Sequence, residues 1–294
     1  MADFKIIVDS SCDIKRETAE KLGIRVIPIS FTFDGETYYR EGIDMQLPEF
    51  YERLSSNETI PKTTQVTPVQ FLDVFNEEYD NGCDDLLVVT ISSNASGMYN
   101  NAVMSANQVM DERGGSITVV DSQGFSAMIG AGVIKAAKMK QEGKTKEETA
   151  EFIKDFIASM RPYFLVGDLE HLKKGGRINA ATLVIANMLD IKPVLTVSGG
   201  MVVQKDKIRG SKRVLKKLIE NASDDGYDLE GRTIILVDTA QPEKREELKE
   251  AFENTFENVT LKKCAVGAVI GCHGGPDLVG FIFSDKYDLS DYEE

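Results

Sequence analysis

The feature that most constrains the fold of this chain is a set of short, continuous apolar runs separated by longer segments with helical periodicity. Runs of this kind, rich in Val, Ile and Leu, are typical of strands buried on both faces of a sheet. Strands that alternate with helices are joined by right-handed crossovers, so the pattern predicts a parallel sheet covered by helices. The clearest runs are residues 5–8, 86–91, 117–120 and 234–237.

Two of the intervening segments predict helices in some detail. Between Met98 and Met110, apolar residues recur at spacings of three, four and seven, which places them along one helix face. At the start of another segment, Thr67 can cap a helix, Pro68 suits its first position, and Gln70 can complete a capping box. The buried stripe of that helix is expected to consist of Phe71, Leu72, Phe75 and Tyr79.

The second half of the chain predicts a mixed sheet. Residues 193–197 and 201–205 are strand-like, and the Ser-Gly-Gly between them is typical of a hairpin turn, which pairs its strands antiparallel. A helical stretch over residues 147–160, followed by Arg161 and Pro162, marks the expected domain boundary. The expected fold class is therefore α/β, with an N-terminal parallel-sheet α/β/α domain and a C-terminal α/β domain that contains a mixed sheet.

Composition argues against several classes of partner. Lys and Arg number 34 against 48 Asp and Glu, a formal net charge of −14, which opposes long-range attraction to nucleic acid or to anionic lipid. No segment approaches the roughly 18 consecutive apolar residues of a membrane span, so no stable membrane insertion is expected. The N-terminus lacks the apolar run of a signal peptide, and the four cysteines form no CxxC pair. We therefore expect a cytoplasmic protein with free thiols and no metal site.

Polar side chains follow four of the predicted strands. They could cap the helices that follow, or they could line a shared crevice, because ligands bind at the carboxyl ends of parallel strands. The junction after Ser93 also presents the first amides of a helix, which suit a carboxylate or phosphate. Neither GxxxxGK[ST] nor GxSxG occurs there, so the sequence favours neither a Walker loop nor a nucleophile elbow. The strand-end segments are Asp9-Ser10-Ser11, Ser92-Ser93, Asp121-Ser122 and Asp238-Thr239.

Each of the two histidines lies in a different context. His171 lies in a charged helical run, where a solvated or half-buried helix face is favoured. His273 lies among glycines, which permit close approach of a ligand, so a loop role and a ligand contact are both open. A Ser–His–acid hydrolase would need a base within hydrogen-bond reach of its serine, and the sequence alone does not establish such a contact.

Basic residues cluster in two places. Arg177 follows two lysines and a Gly-Gly turn, where its guanidinium could be solvated or could be delivered to an anion. A second basic run extends from Lys205 to Lys217 and includes Arg209. This run could be a solvated face or a docking patch for a partner.

Taken in order, these segments resemble the DegV family of bacterial fatty-acid-binding proteins, over nearly the whole chain. The chain departs from the family pattern at Val66, Thr67, Ala95, Met98 and Asp277. These departures leave acyl-chain preference and the partner-docking surface open. The motifs that carry the resemblance are Ile7-Val8-Asp9-Ser10-Ser11, Lys62-Thr63-Thr64-Gln65, Ile91-Ser92-Ser93 with Ser96-Gly97 and Tyr99, Asp121-Ser122, Leu172-Lys173-Lys174-Gly175-Gly176-Arg177-Ile178, Ile191-Lys192-Pro193-Val194-Leu195, and Gly271 with His273, Gly275 and Pro276.

The resemblance implies two α/β domains, residues 1–160 and 161–294, with one long-chain fatty acid of about sixteen to eighteen carbons in a tunnel at their interface. It implies a carrier without catalytic residues or a cofactor, which presents its acyl group to a separate ATP-dependent fatty acid kinase. Arg209 is a candidate for docking that kinase. The residues implied to hold the carboxylate are Thr63, Ser92, Ser93 and His273, with Arg177 and Thr64 as further candidates.

Two other functions stay open at this stage. One is a serine hydrolase of acyl esters that uses Ser92 or Ser93 with His273. The other is a kinase-like or phosphate-binding protein, which ranks lower because the sequence has no nucleotide motif and no carboxylate set for magnesium. A lipid-binding carrier is the leading hypothesis.

Overall fold

The computed structural model describes residues 4–56, 59–167, 169–179, 191–210 and 213–293. Its strands are β1 (Lys5–Asp9), β2 (Ile24–Ile27), β3 (Ser30–Thr32), β4 (Tyr39–Arg40), β5 (Lys62–Thr63), β6 (Asp85–Thr90), β7 (Ser116–Asp121), β8 (Met160–Leu165), β9 (Ile191–Ser198), β10 (Met201–Arg209), β11 (Thr233–Asp238), β12 (Thr260–Ala265) and β13 (Val279–Ser284). Its helices are α1 (Arg16–Leu22), α2 (Leu47–Ser56), α3 (Pro68–Asp80), α4 (Met98–Arg113), α5 (Ala127–Gln141), α6 (Lys146–Ala158), α7 (Glu170–Gly175), α8 (Val214–Asp224), α9 (Pro242–Glu253) and α10 (Ala268–Gly274).

The first sheet is wholly parallel, in the order β2-β1-β6-β7. Strands β1, β6 and β7 coincide with the predicted apolar runs to within one residue at each end. Helix α3 packs against α4, α5 packs against α6, and both α4 and α6 contact β6 and β7. The predicted capping box is present, with the Thr67 hydroxyl and the Gln70 side chain each accepting from the other residue's amide.

The second sheet is mixed, in the order β10-β9-β8-β13-β11-β12. The predicted hairpin is β9 and β10, which pair antiparallel, whereas β11 and β12 are parallel. The helix expected to extend to Met160 ends instead at Ala158, and Met160 begins β8. Pro162 disfavours helical geometry at the residue before it, and Met160 pairs with Ser284 of β13. The α/β fold class with one parallel and one mixed sheet is confirmed.

A third, three-stranded sheet, β4-β3-β5, was not predicted. With α2 it forms a small aromatic core around Phe31, Phe50 and Tyr51, which packs on Ala268 and Cys272 of α10. The Tyr51 hydroxyl donates to the Val266 carbonyl oxygen at 2.7 Å. This small sheet therefore places β5 beside α10.

One continuous hydrophobic core includes residues of both large sheets, such as Val88 on β6 and Ile282 on β13. A separate core lies on the other face of the second sheet, under α8 and α9. Among the helices given above, none combines the length and the apolar character that crossing a membrane requires.

Candidate functional site

A cavity of about 450 Å³ lies between the two large sheets and α10. Its volume falls within the range of about 300–1,000 Å³ that is typical of small-molecule sites. The wall is mainly apolar and combines side chains of the second sheet, of α10, of the first turn of α5 and of the loops that follow β6 and β7. Among these side chains are Ile91, Phe125, Met128, Pro162, Phe164, Val237, Val269, Ile270, Phe281 and Ile282.

Polar side chains stand where this cavity meets an adjoining pocket of about 530 Å³. Thr63, Arg177 and His273 line both spaces. Thr63 Oγ1 lies 2.9 Å from His273 Nε2. The adjoining pocket also has Lys62 and Lys174 in its wall, so the polar end of the cavity opens towards positive charge. This arrangement suits an amphipathic ligand with an anionic head.

Three different elements deliver these three side chains. Thr63 lies on β5, where it pairs with Phe31 of β3, and His273 lies in the last turn of α10. Arg177 follows α7, and its carbonyl oxygen accepts the Val202 amide of β10 at 3.3 Å. The residues are far apart in sequence, and the fold brings them together.

The His273 imidazole is neutral near pH 7. Burial, together with the positive charges of Arg177 and His171, lowers the pKa of His273 to about 4. In the tautomer that carries its hydrogen on Nε2, the ring donates to Thr63 Oγ1, and the Thr63 hydroxyl proton can then reach a ligand oxygen. Thr63 and His273 can thus form a relay of neutral donors.

The Arg177 side chain is held by backbone oxygens. Its Nε donates to the Ala95 carbonyl oxygen at 3.0 Å, and its Nη1 donates to the Gly175 carbonyl oxygen. These bonds fix the guanidinium beside the cavity and link α7 to the loop after β6. Arg177 is thus half-buried beside exposed Lys173 and Lys174, and its delivery to an anion stays a prediction.

Gly175 and Gly176 have separate structural roles, which the sequence did not distinguish. A Cβ at Gly175 would lie 2.4 Å from His273 Nδ1, so the absence of a side chain makes room for the imidazole. Gly176 has a φ of +68° and ends α7 in the left-handed conformation that glycine adopts readily. Gly175 is thus part of the site.

Ser92 and Ser93 do not line the cavity. Ser92 is fully buried, and its hydroxyl donates to the Gly200 carbonyl oxygen at 2.7 Å. The Ser93 hydroxyl donates to Asp121 Oδ2 at 2.6 Å. Direct contact of either serine with a ligand would require these bonds to be exchanged, and that contact stays a prediction.

The serine hydrolase alternative requires His273 to act as a base for one of the two serines. In the described part of the chain, His273 Nε2 instead contacts Thr63, and both serine hydroxyls donate to other oxygens. The arrangement gives no support to acyl-ester hydrolysis.

The strand-end carboxylates bind turns rather than the cavity. Asp9 accepts the amides of Ser11 and Ile91 at 3.1 and 2.7 Å. Asp121 and Asp238 each accept an amide from the turn that follows, at 3.1 and 2.8 Å. Of these three carboxylates, only Asp9 caps the helix that follows, the single turn Ser10–Cys12, because α5 and α9 begin after Ser126 and Gln241 without a side-chain cap. None of the three lines the cavity, and a crevice lined by the strand-end hydroxyls stays a prediction.

The mouth of the cavity includes Thr64, Gln65, Ser96 and Gly97. Thr64 is exposed, and its hydroxyl donates to the Ser30 carbonyl oxygen at 3.3 Å. Helix α4 begins here, and its first amide, that of Met98, donates to Ser96 Oγ at 3.4 Å. Ser96, Gly97 and Met98 all line the cavity. Ser96 was not singled out as a candidate, although the Ser-Gly that precedes the helix is a visible signal.

Arg209 lies at the exposed end of β10, which is an edge strand of the second sheet. Within the basic run, Lys205 forms an ion pair with Asp225 at 2.9 Å, and Lys212 lies outside the described residues. Lysine and arginine on an edge strand also discourage pairing with another sheet. A docking role for Arg209 therefore stays a prediction.

The four cysteines are free, and three of them are buried. Within the described ranges, no group of three or more His, Cys, Asp or Glu side chains is arranged to hold a metal ion.

Comparison with protein families gives a match over nearly the entire chain. A family model described as an uncharacterised protein of the DegV family matches residues 3–286. A DegV domain-containing protein of Caldanaerobacter subterraneus subsp. tengcongensis is 32% identical over 286 residues, covering 97% of this chain and 100% of that protein. A DegV domain-containing protein of Clostridium perfringens is 30% identical over 287 residues, covering 98% and 100%.

Solved structures with the same fold include proteins that bind fatty acids. A stearic acid-binding protein from Eubacterium ventriosum matches with a TM-score of 0.83 and 27% identity, covering 96% of this chain and 98% of that one. DegV of Bacillus subtilis, described as a fatty acid binding protein, matches with a TM-score of 0.82 and 26% identity, covering 97% and 99%.

Proposed function

Because this chain belongs to the DegV family, we propose that it binds one long-chain fatty acid, with the acyl chain in the cavity and the carboxylate at its polar end. The observation that carries the proposal is the junction of an apolar cavity with Thr63, Arg177 and His273. Relatives of the same fold that bind fatty acids support it.

The energetics favour such a ligand. Each methylene removed from water contributes about 0.8 kcal/mol, so a chain of about sixteen carbons gains on the order of 10 kcal/mol. A buried carboxylate costs several kcal/mol unless hydrogen-bond donors satisfy it. Thr63 and a neutral His273 supply such donors, and Arg177 supplies the compensating charge.

The proposed carboxylate site consists of Thr63, His273 and Arg177, with Thr64 at the mouth. Ser92 and Ser93 are proposed to act indirectly, by fixing the loop that follows β6. A direct contact would require one of their hydroxyls to turn towards the ligand. The first-turn amides of α4 lie in the same region and can assist.

Organic extraction and mass spectrometry of the purified protein test the proposal. We expect one equivalent of a long-chain fatty acid, or uptake of added oleate or palmitate by delipidated protein. Recovery of no stoichiometric fatty acid, together with no uptake, would overturn the proposal.

The second part of the proposal is that the protein is a cytoplasmic carrier without enzymatic activity, which presents its ligand to a fatty acid kinase. The open pocket beside Thr63 would leave the carboxylate end within reach of a partner, and residues 1–160 and 161–294 would act as two domains around the ligand tunnel. A pulldown with the kinase from the same organism tests the partnership, and a complex left intact by Arg209→Glu would count against the basic run as its docking surface.

A further inference from the structure

Two carboxylates outside the proposed carboxylate site converge on the start of α10. Glu41 Oε1 accepts the Val269 amide at 2.8 Å. A Cβ at Gly267 would lie 2.5 Å from Asp13 Oδ1 and 2.6 Å from Glu41 Oε1, so both carboxylates approach the backbone of Gly267. Asp13 Oδ1 and Glu41 Oε2 are buried and have no hydrogen bond of good geometry among the described residues. The donors nearest to the two carboxylates are the Gly267 amide for Asp13, and the Ser10 hydroxyl and Ala268 amide for Glu41. We call Asp13 and Glu41 the acid pair.

The acid pair is bonded to two residues that line the cavity and lie at the starts of different helices. On one side Glu41 holds the backbone of Val269, a cavity residue on the helix that carries His273. On the other side Asp13 Oδ2 accepts the hydroxyl of Ser126, which also lines the cavity. Ser126 has a φ of +52° and a ψ of −134°, a conformation that residues other than glycine rarely adopt and that needs support from its surroundings.

The surroundings of the pair supply no positive charge. Within the described ranges, neither carboxylate has a Lys or Arg partner. Asp9 is also close, and its oxygens are occupied by the amides of Ser11 and Ile91. Burial raises the pKa of every neighbouring thiol and phenol, so these groups stay neutral near pH 7. They are Cys12 beside Asp13, Tyr51 on α2, Cys264 on β12, Cys272 on α10 and Tyr292 near the C-terminus.

Two ionised carboxylates in such a space repel each other, so the pair retains a proton that solvated carboxyls would lose. Burial raises the pKa of Glu41 to about 7. Burial and the charge of Glu41 raise the pKa of Asp13 well above its usual range. The arrangement in which the acid pair is buried therefore binds a proton more tightly than an arrangement in which the pair is open to solvent. Its stability is greatest at low pH and falls as the pH rises through 7.

We propose that Asp13 and Glu41 are positioning residues that share one proton and thereby hold the α10 wall of the cavity against the Ser126 wall, so that loss of the proton releases the ligand. The inference rests on the proposed fatty-acid binding. It adds a proton-dependent control of retention that acts through the position of α10, the helix that carries His273.

The test measures the release of radiolabelled oleate from the loaded full-length protein into excess albumin, between about pH 6 and about pH 8. We expect the release rate of the unmodified protein to rise about three- to tenfold over this range. In Glu41→Gln and in Asp13→Asn, which keep side-chain size, the release rate should change by less than about twofold over the same pH range. Glu49→Gln makes the same chemical change at an exposed position of α2 and should keep the unmodified profile.

The outcomes separate this inference from the proposed function. If the unmodified protein retains no oleate at any pH, the proposed function fails. If the unmodified protein retains oleate but its release rate does not vary with pH, only the inference is overturned. The same holds if both variants keep the pH dependence of the unmodified protein.

A second measurement needs no variant, and it covers the case in which the substitutions prevent folding. Hydrogen exchange at the Val269 amide, corrected for intrinsic exchange, should show more frequent opening as the pH rises in the unmodified, ligand-free protein. An opening frequency independent of pH would also overturn the inference.

Discussion

At the residue scale, the Thr63 hydroxyl is the group on which the proposed carboxylate site most depends. It lines the cavity and lies 2.9 Å from His273 Nε2. Thr63→Val keeps the shape of the side chain and removes its donor. A hydrogen bond to a charged group contributes about 1.5–3 kcal/mol, so we expect oleate affinity to fall about ten- to a hundredfold in equilibrium binding.

Ser93→Ala is the matched comparison, because the Ser93 hydroxyl donates to Asp121 and does not line the cavity. We expect a smaller loss of affinity than for Thr63→Val. Equal losses would show that Ser93 turns to the ligand, and an unchanged affinity in Thr63→Val would exclude Thr63 from the site.

Adjacent glycines allow the position of His273 to be tested separately from the stability of α7. A Cβ in Gly175→Ala would lie 2.4 Å from His273 Nδ1 and displace the ring, so we expect oleate affinity to fall while the fold is kept. A Cβ at Gly176 meets nothing within 4 Å, but the φ of +68° makes Gly176→Ala cost about 1 kcal/mol in the free energy of unfolding. The reverse pattern, in which Gly176→Ala alone loses affinity, would contradict the role of Gly175.

The sequence indicates which polar residues lie at the cavity better than it indicates their contacts. Thr63, Arg177 and His273 were identified through ordered motifs, and all three line the cavity. The partners of Ser92 could not be predicted, because its hydroxyl bonds a hairpin more than a hundred residues away in the chain. Long-range backbone contacts of this kind leave no local pattern.

At the scale of elements, long strands and capped helices were predictable, and the smallest strands were not. Strands β1, β6 and β7 carry continuous apolar runs, whereas β4 and β5 have two residues each, too few for any periodicity. Yet β5 carries Thr63, so the element that completes the site is among the least visible in sequence. Its place is set by packing of the small sheet on α10.

The tip of the β9–β10 hairpin provides a test of how this element docks on the loop after β6. Gly199 and Gly200 both have positive φ, at +56° and +70°, but only a Cβ at Gly200 would meet Ser92 Oγ, at 2.3 Å. Both alanine substitutions should cost about 1 kcal/mol for the backbone conformation. Gly200→Ala should cost about 1–3 kcal/mol more, because it disrupts the buried hydroxyl contact.

Urea unfolding of the two glycine variants measures this difference. Equal destabilisation would mean that the hairpin tip does not depend on Ser92. If Gly200→Ala is the more destabilised variant and also binds oleate more weakly, docking of the hairpin supports the part of the cavity wall that Val197 and Val202 form.

At the scale of the whole molecule, the cavity and the core are parts of one apolar interior. The hydrophobic core that includes both large sheets borders the cavity, and side chains such as Phe164 and Ile282 belong to both. In the delipidated protein, the apolar wall of the cavity lacks the contacts that an acyl chain would supply. The fold alone was predictable from alternating strands and helices, but the cavity depends on how the two sheets meet, which no local pattern encodes.

Global stability should therefore depend on the concentration of fatty acid. A ligand that binds only the folded state stabilises it by about 2.7 kcal/mol at a free concentration a hundred times its Kd. We expect the Tm of delipidated protein to rise steadily with added oleate, measured by circular dichroism at low oleate concentrations. Thr63→Val should show a smaller rise at the same oleate concentration, because its Kd is higher, whereas Gly199→Ala should start from a lower Tm and show the full rise. A Tm that does not respond to oleate in any of these proteins would contradict the placement of the acyl chain inside the core.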